Sequence, residues 1–262
     1  MSWPAAEAFW LRGGFAASAA AMTWTLLMHR RERERRIGLL SLSAVSVLSY
    51  AAAIAIRWVA SGQGPFLTLY EVLLSNLFSL SLVFTALAAS SPQARRIALP
   101  VLGAVCLLAV WTLSLPAHIV PLPPTFAHPW LWVHVFSGKV FLALSLVGSS
   151  GSVLSMLHPQ ADASLESFVW RTAAAAFAFD SVMLLSGAVW ANDAWGRFWA
   201  WDPLETWAFA TWVALAALLH ARLGFALSSR AAHAWNCGVF VLAVLTFFGV
   251  PFMSAAPHKG VF

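Results

Sequence analysis

Apolar segments long enough to cross a lipid bilayer follow one another along almost the whole of this sequence. A membrane-spanning helix needs roughly 20 consecutive, mostly apolar residues. Eight such runs are present, at residues 10–28, 37–58, 70–90, 97–115, 131–154, 171–190, 206–224 and 233–254. With 61% hydrophobic and 10% charged residues, the chain is far more apolar than a soluble domain, in which about 25% of residues are charged. The sequence therefore predicts an all-α, polytopic membrane helix bundle with about eight transmembrane helices, forming a single integral membrane domain over residues 1–262.

The arginines indicate which loops face the cytoplasm, because lysine and arginine concentrate in cytoplasmic loops. Ten basic residues border loops of one parity, at positions 30, 31, 33, 35, 36, 95, 96, 171, 222 and 230. The opposite side has Arg12, Arg57, Arg197 and Lys259. We therefore expect both termini to face away from the cytoplasm, and the loop arginines explain most of the net charge of +5, so no nucleic-acid partner is expected. Residues 1–10 have no basic n-region, so the first span is expected to stay in the mature protein.

A tryptophan-rich segment, residues 190–207, lies between two predicted spans on the non-cytoplasmic side. Five tryptophans, three acidic residues and one arginine fall within its 18 residues. Tryptophan combines a large apolar ring with an indole N–H that needs a polar partner, which suits a site that is half dry and half wet. Tryptophan also forms interfacial belts, but a belt does not require the spacing Trp-Gly-x-x-Trp-x-Trp-Asp. The segment therefore indicates an external binding surface for a flat, apolar, anionic ligand.

Histidines gather on the same side of the predicted bundle. His118 and His128 lie in the loop before the fifth span, His134 lies just inside that span, and His258 follows the last span. Imidazole is a common axial ligand of haem iron. Arginine and indole N–H groups are suitable hydrogen-bond donors to the carboxylates of haem. Cys106 and Cys237 lie singly in the middle of two spans, where cysteine usually packs as a small apolar residue, so the chain itself is not expected to handle thiol redox.

A family resemblance is carried by residues 195–207, Trp-Gly-Arg-Phe-Trp-Ala-Trp-Asp-Pro-Leu-Glu-Thr-Trp. This stretch resembles the WWD signature of the haem-handling proteins of cytochrome c maturation. Its ending, Glu-Thr-Trp, is similar to the form found in the CcsA (ResC) family of System II cytochrome c synthase subunits. Further matches are residues 190–192, residues 219–222 and the stretch from Arg57 to Glu71, so that the resemblance covers most of the chain from about residue 57 onward.

The resemblance implies a function in cytochrome c biogenesis. The chain would bind haem b and present it at the outer membrane face for thioether attachment to the CXXCH segment of apocytochrome c, as a holocytochrome c synthase (haem lyase) subunit. The implied partners are a CcsB (ResB)-type membrane subunit, apocytochrome c, a thioredoxin-like thiol reductant of the CcsX/ResA type with its CcdA-type supply, and membrane lipid. The implied location is a bacterial inner membrane, with the tryptophan-rich segment facing the periplasm, or a thylakoid. A CcmC-like haem delivery protein and a HemX-like membrane regulator remain alternatives.

The resemblance also assigns roles to individual residues. His134 and His258 match the two external ligands of the haem iron, and His220 matches an intramembrane ligand that pairs with a histidine of the CcsB-type partner. The residues expected around the haem are Trp190, Trp195, Gly196, Trp199, Trp201, Asp202 and Glu205. No residue is assigned to acid–base catalysis. Because His220 lies fifteen residues beyond Glu205, roughly 22 Å along a helix, it must serve a different site.

Three assignments stay open or secondary. His128, six residues before His134, competes for the first external ligand position, although the context Trp-Val-His-Val favours His134. Asp180 and Lys139 lie inside predicted spans, where an unpaired charge is costly. We expect these two to pair with each other, and a role in haem passage is the alternative. The histidines that border cytoplasmic loops are expected to be solvated; they are His29, His158 and His233.

Overall fold

The computed structural model of the chain describes residues 3–158, 162–225 and 227–253, and every regular element in these ranges is helical. The helices are α1 (Trp3–Leu27), α2 (Glu32–Ser61), α3 (Leu69–Ser90), α4 (Pro92–Arg96), α5 (Ala98–Leu113), α6 (Pro129–Leu157), α7 (Ala163–Trp195), α8 (Pro203–Gly224), α9 (Ser229–Phe248) and α10 (Val250–Met253), with a 3-10 turn at Pro124–Phe126. The longer helices coincide with the eight predicted apolar runs. The prediction of an all-α fold is confirmed.

Six of these helices are long and apolar enough to cross a membrane by length and composition, namely α2, α3, α6, α7, α8 and α9. The sequence predicted about eight spans. Helix α5 is apolar but has only 16 residues, and α1, with Glu7 and Arg12 in its first half, does not meet the same criterion. The chain is therefore a polytopic integral membrane protein. The side of the membrane on which its termini lie stays a prediction.

The described residues form two compact units, which meet in the sequence between Pro121 and Leu122. In the first unit, small residues let α1 and α2 approach closely. A Cβ atom added at Gly14 would lie 2.5 Å from ring atom Cε1 of Tyr50, and the hydroxyl oxygens of Ser18 and Ser46 are 2.7 Å apart. Close packing through glycine and serine is the usual way in which helices associate inside a membrane.

A buried arginine connects the remaining parts of the first unit. The Arg57 side chain is inaccessible to solvent; its Nε lies 3.0 Å from Glu71 Oε1 and its Nη1 lies 3.4 Å from Glu7 Oε1. The guanidinium also donates to the backbone carbonyls of Ala117, at 3.1 Å, and His118. Arg57 therefore joins α1, α2 and α3 to the loop that follows α5.

We predict that Arg57→Met strongly destabilises the protein. The change leaves Glu7 and Glu71 buried without their cation, and breaking a buried ion pair from one side costs about 3–5 kcal/mol. Thermal unfolding of the detergent-purified protein should therefore show a clearly lower midpoint. Arg31→Met is the matched control, because Arg31 pairs with Glu34 at the surface, where an ion pair is worth about 0–1 kcal/mol. Equal midpoints for the two variants would contradict this account of Arg57.

The second unit is built on four long helices, α6 to α9. Helices α6 and α7 run antiparallel and touch at glycines of α6. A Cβ atom added at Gly151 would lie 2.5 Å from Val169 Cγ2, and one added at Gly148 would lie 3.9 Å from Thr172 Cβ. Helices α8 and α9 meet at the hydroxyl pair of Thr211 and Thr246, 3.2 Å apart. The small residues of α6 thus set both the separation and the register of α6 and α7.

His233 is buried at the end of this unit that lies away from the tryptophan-rich segment, which we call the inner end. The sequence predicted a solvated side chain here, and that prediction is wrong, because the residue is only 2% exposed. Its Nδ1 lies 3.1 Å from Ser152 Oγ and its Nε2 lies 3.1 Å from Glu166 Oε1. Glu166 also accepts from the indole N–H of Trp170 at 2.6 Å. His29 and His158 are exposed, as predicted.

Candidate ligand-binding site

The tryptophan-rich segment is a turn between α7 and α8, with capping groups at both ends. Helix α7 ends at Trp195, and Gly196 follows with a left-handed φ of 74°, a conformation that glycine adopts without steric cost. Helix α8 begins after Asp202, whose side chain accepts a hydrogen bond of 2.9 Å from the backbone N–H of Glu205. Gly196 and Asp202, both predicted as site residues, therefore shape the turn.

Glu205 holds the backbone of this turn in place. Its Oε2 accepts from the backbone N–H of Ala200 at 2.7 Å and from that of Asp202 at 3.4 Å. Between them lies Trp201, which has a φ of 57° and is the only non-glycine residue in the described ranges with a positive φ. A non-glycine residue in the left-handed region is strained unless its surroundings fix it. The carboxylate of Glu205 supplies that constraint and also lines the pocket described next.

A pocket lies beside the turn, and the predicted site residues reach it to different extents. It holds about 410 Å³ of space that is partly open to solvent. Helix α6 contributes His134 to its lining, α7 contributes Met183 and Gly187, and the turn contributes Phe198 and Trp199. Most of the lining is apolar, with His134 and Glu205 as the ionisable groups. A narrow apolar space with a few polar groups is typical of a small-molecule site.

His134 is held in one orientation by α7. Its Nδ1 lies 2.8 Å from the carbonyl oxygen of Met183, so this nitrogen carries the ring proton and donates it. Gly187 makes room for the ring, because a Cβ atom added there would lie 2.6 Å from the same nitrogen. A histidine that donates through Nδ1 to a carbonyl presents Nε2 to a metal. Any metal bound by His134 would therefore be bound through Nε2.

Trp190 and Trp195 support the pocket from behind. Trp190 is 2% exposed, and its indole N–H donates to the carbonyl of Thr125 at 2.8 Å. Its ring stacks on His134 with centroids 6.2 Å apart and packs edge-on against Trp195 at 4.9 Å. These two tryptophans fix the imidazole and do not line the pocket themselves.

Trp199 and Trp201 form the outer side of the site. Trp199 lines the pocket, and its buried indole nitrogen Nε1 has no hydrogen-bond partner in the structure. Trp201 packs edge-on against Trp199 at 5.7 Å and is 65% exposed. A buried N–H without an acceptor is rare in proteins. Trp199 therefore offers an unused donor to a ligand, and Trp201 offers an exposed aromatic face.

His128 has a different environment from His134. Its Nδ1 accepts a 3.3 Å hydrogen bond from the backbone N–H of Trp130 at the start of α6, and its Nε2 lies 3.2 Å from Asp193 Oδ2. His128 does not line the pocket. These contacts account for His128 as a helix-capping residue and favour His134 as the ligand.

The two other predicted histidine ligands are not part of this pocket. His220 is exposed near the inner end of α8, and its Nδ1 lies 3.0 Å from the carbonyl oxygen of Ala216. The buried residues of α8 lie on the opposite side of the helix, so His220 points away from α9; they are Ala208, Thr211, Leu215 and Leu218. His258 lies outside the described residues.

Asp180 and Lys139 do not form the predicted pair, because neither carboxylate oxygen of Asp180 has a hydrogen-bond partner. The two residues lie at similar heights in antiparallel helices, but on faces that do not meet. Gly138 is the residue of α6 that faces α7, with Met183 Sδ 2.9 Å from its added Cβ position. Lys139 is rotated by about 100° from Gly138 around α6. The prediction was wrong because sequence spacing gives the height of a residue along its helix but not the face of the helix on which its side chain lies.

Sequence reasoning missed several residues that build the site. Met183 contributes a backbone carbonyl, which no side-chain motif reveals. Gly187 had one visible signal, a glycine within an apolar helical run three residues before Trp190, but its partner His134 lies 53 residues away. Phe198, although inside the recognised signature, had not been assigned a role.

The fold and the pocket together define an all-helical integral membrane protein with a histidine-containing aromatic pocket. The family model described as Cytochrome C assembly protein matches residues 15–258. A relative named "Cytochrome c biogenesis protein CcsA" from Synechococcus sp. (strain CC9605) is 33% identical over 270 aligned positions, covering 86% of this chain and 88% of that protein. The chain belongs to the cytochrome c assembly protein family, as the signature at residues 195–207 predicted.

Two more proteins with the same name have different coverage. The one from Synechococcus sp. (strain CC9311) is 29% identical, with 94% of this chain and 96% of the relative aligned. The one from Chlamydomonas reinhardtii is 33% identical over 199 positions, which cover 70% of this chain and 56% of that protein. The match to the cyanobacterial relatives thus extends over nearly the whole chain.

We predict that Asp202→Ala loosens the start of α8. Replacing an N-cap aspartate by alanine costs about 1 kcal/mol, so the backbone amides of residues 204–206 should exchange with deuterium several-fold faster. Asp202→Asn is the matched control, because asparagine is an equally good N-cap. Hydrogen exchange followed by mass spectrometry on the detergent-purified protein measures both. Unchanged exchange in Asp202→Ala would show that the cap does not hold the turn.

Proposed function

We propose that this chain binds haem b in the pocket beside His134 and presents it for covalent attachment to the CXXCH segment of apocytochrome c, as a haem lyase subunit. Its membership of the cytochrome c assembly protein family and its relatives named for cytochrome c biogenesis support a function in that process. The observation that carries the haem proposal is His134, which is oriented by the Met183 carbonyl and lies within an aromatic pocket.

The pocket residues fit haem chemically. The orientation of His134 leaves Nε2 as its coordinating atom, since Nδ1 bonds to Met183. The apolar lining and the exposed face of Trp201 suit the porphyrin ring. The unpaired indole N–H of Trp199 suits a propionate, because hydrogen bonds to an ionised carboxylate are stronger than those to neutral acceptors. The pocket thus combines a candidate metal ligand, an apolar lining and a hydrogen-bond donor for an anionic group.

The mechanism we infer is positioning. Bound haem supplies an iron that takes axial ligands and vinyl groups to which thiols add. His134 would hold the haem iron through Nε2, while Met183, Gly187 and Trp190 restrict the plane of the imidazole. Glu205 keeps the turn that carries Trp199 and Trp201 in place. Each cysteine thiol then adds across one vinyl group, its sulfur and its hydrogen going to the two carbons. Holding reactants at near-attack geometry contributes several kcal/mol to such a step.

Two further histidines complete the proposal. His258, after the last helix, is the proposed second axial ligand at the external site. His220 is the proposed ligand of a separate, intramembrane haem, and its exposed position on α8 is consistent with sharing that haem with a histidine from another subunit. The partner proposed for this role is a CcsB (ResB)-type membrane subunit.

The other proposed partners follow from what the chemistry requires. The thiols of apocytochrome c must be reduced, and Cys106 and Cys237 are both free and lie on different helices. A thioredoxin-like reductant of the CcsX/ResA type, supplied by a CcdA-type protein, is therefore proposed. The proposed location is a bacterial inner membrane, in contact with its lipids, and the arginine distribution supports an orientation with the tryptophan-rich segment toward the periplasm. In a thylakoid it would face the lumen.

We predict that the protein, purified in detergent with its partner, shows the visible spectrum of reduced low-spin haem. His134→Ala and His258→Ala should each lose that spectrum, because each removes one axial ligand, and added imidazole should restore it. His128→Ala is the matched control and should retain haem. Wild type without haem, or an unchanged spectrum in both ligand variants, would contradict the proposal. Transfer of haem to a soluble chaperone without thioether formation would instead support the CcmC-like alternative.

We predict that Gly187→Ala weakens haem binding without removing a ligand. The new methyl group would meet the His134 ring, 2.6 Å from its Nδ1, and force the imidazole to turn away from the Met183 carbonyl. The reduced spectrum should shift toward a five-coordinate form and recover when imidazole is added. Gly238→Ala is the matched control, because Gly238 also lies inside a helix of this unit and no atom lies within 4 Å of its added Cβ; it tests for a general effect of replacing a helical glycine. A wild-type spectrum in Gly187→Ala would show that the imidazole does not depend on this contact.

A further inference from the structure

Asp180 is the most unusual polar residue in the second unit. It is completely buried on α7, and neither carboxylate oxygen has a hydrogen-bond partner among the residues that the structure describes. An unpaired carboxylate costs several kcal/mol in such surroundings, whereas a protonated carboxyl does not carry the charge. Ionisable residues inside membrane helices therefore usually have a function. The mechanism proposed above does not use Asp180.

Asp180 lies directly beneath the pocket. The residues of α7 that line the pocket include Met183, Leu184 and Gly187, which follow Asp180 by three, four and seven positions. Residues with this spacing share one face of a helix. At 1.5 Å per residue, Asp180 is about 4.5 Å along the helix axis from Met183, whose carbonyl orients His134. The carboxyl group and the proposed iron ligand are therefore joined through one turn of α7.

Among the described residues of the neighbouring helices, no charged side chain forms a hydrogen bond with Asp180. On α6, the contacts of Gly148 with Thr172 and of Gly151 with Val169 set a register that places Val140 opposite Asp180. Lys139 is rotated away from α7, and His134 lies more than one turn higher. On α8 the nearest ionisable residue is Glu205 at the pocket, and on α9 those that face inward are Cys237 and His233.

A row of serines leads from the inner end of the unit toward Asp180. Ser145, Ser149 and Ser152 are all buried on α6, at a spacing that places them on one helix face. Ser152 bonds to His233 at 3.1 Å, and His233 bonds to Glu166 at 3.1 Å. The Glu166 side chain is 29% exposed, so water reaches this end of the row.

The upper end of the row has unused hydrogen-bonding groups. The hydroxyl of Ser145 is buried and has no partner, like the carboxyl group of Asp180. The register of α6 and α7 places these two groups on adjacent turns of the helix pair. Buried polar groups that lack protein partners commonly bind internal water. Water beside Ser145 would extend the row from Ser152 to Asp180.

We propose that Asp180 is a proton-binding site linked to the oxidation state of the haem in the pocket, and that the serine row supplies its proton. This inference rests on the proposed function. When an external one-electron reductant converts ferric to ferrous iron, the site loses one positive charge, and one proton from water at the inner end binds the Asp180 carboxylate. On oxidation the electron and the proton both leave. The chain would thereby keep the net charge of the buried site constant.

The experiment is a potentiometric titration of the bound haem at several pH values. The wild-type midpoint potential should fall as pH rises, by up to about 59 mV for each tenfold drop in proton concentration, the constant for one electron. Asp180→Asn should be independent of pH over the same range, and Asp180→Glu should keep the dependence. Glu34→Gln, which removes an exposed carboxylate far along the sequence, is the matched control and should behave as wild type.

A second measurement tests the wild-type protein directly. The infrared difference spectrum of wild type, reduced minus oxidised, should contain the C=O band of a protonated carboxyl group, and Asp180→Asn should lack it. Absence of that band in wild type, or the wild-type pH dependence in a haem-loaded Asp180→Asn protein, would overturn the inference and leave the proposed function standing. Absence of haem from wild type would overturn both.

Discussion

Polar groups in the interior of a membrane protein have to find partners within the protein, because lipid offers none. In the first unit this requirement is met by Arg57, which binds two glutamates and two backbone carbonyls. In the second unit it is met by the cluster around His233. Both clusters join helices that are distant in sequence, so they hold each unit together more specifically than apolar contact alone. Where the requirement is not met, as at Asp180, Ser145 and Trp199, the described residues leave hydrogen-bonding groups for water or a ligand.

Apolar run length was enough to predict the helices, because a span must satisfy its backbone internally and therefore has to be helical. Run length was not enough to decide how many helices cross the membrane. Helix α1 does not meet the hydropathy criterion for a span, and α5 is too short. Position within a run also failed to predict the environment of single polar residues. His233 and Asp180 both lie in runs that predict a helix. In the structure, both ring nitrogens of His233 have hydrogen-bond partners, whereas neither carboxylate oxygen of Asp180 has one among the described residues. That difference depends on which side chains α6 presents.

The site was predictable to the extent that it lies in one continuous stretch. The turn, its caps and its exposed tryptophan all belong to residues 195–207. The orientation of the imidazole was not predictable, because it depends on a backbone carbonyl and a glycine of α7 that meet His134 only after α6 and α7 pack. Residues recognised as one motif also divide into different roles. Asp202 and Glu205 restrain the backbone, whereas Trp199 and Phe198 line the pocket.

The hydrogen bonds of the tryptophans separate those that build the protein from those left for a ligand. The indole N–H of Trp170 donates to Glu166, that of Trp190 to Thr125 and that of Trp212 to Ser181. Trp199 is partly buried, like Trp170 and Trp212, but its N–H has no acceptor among the described residues. Because the fold gives a partner to each of the other three, the unpaired donor is a local property of the pocket. A ligand that brings an anionic oxygen to Trp199 would gain that hydrogen bond without breaking another, which selects for a carboxylate-bearing ring over a purely apolar one.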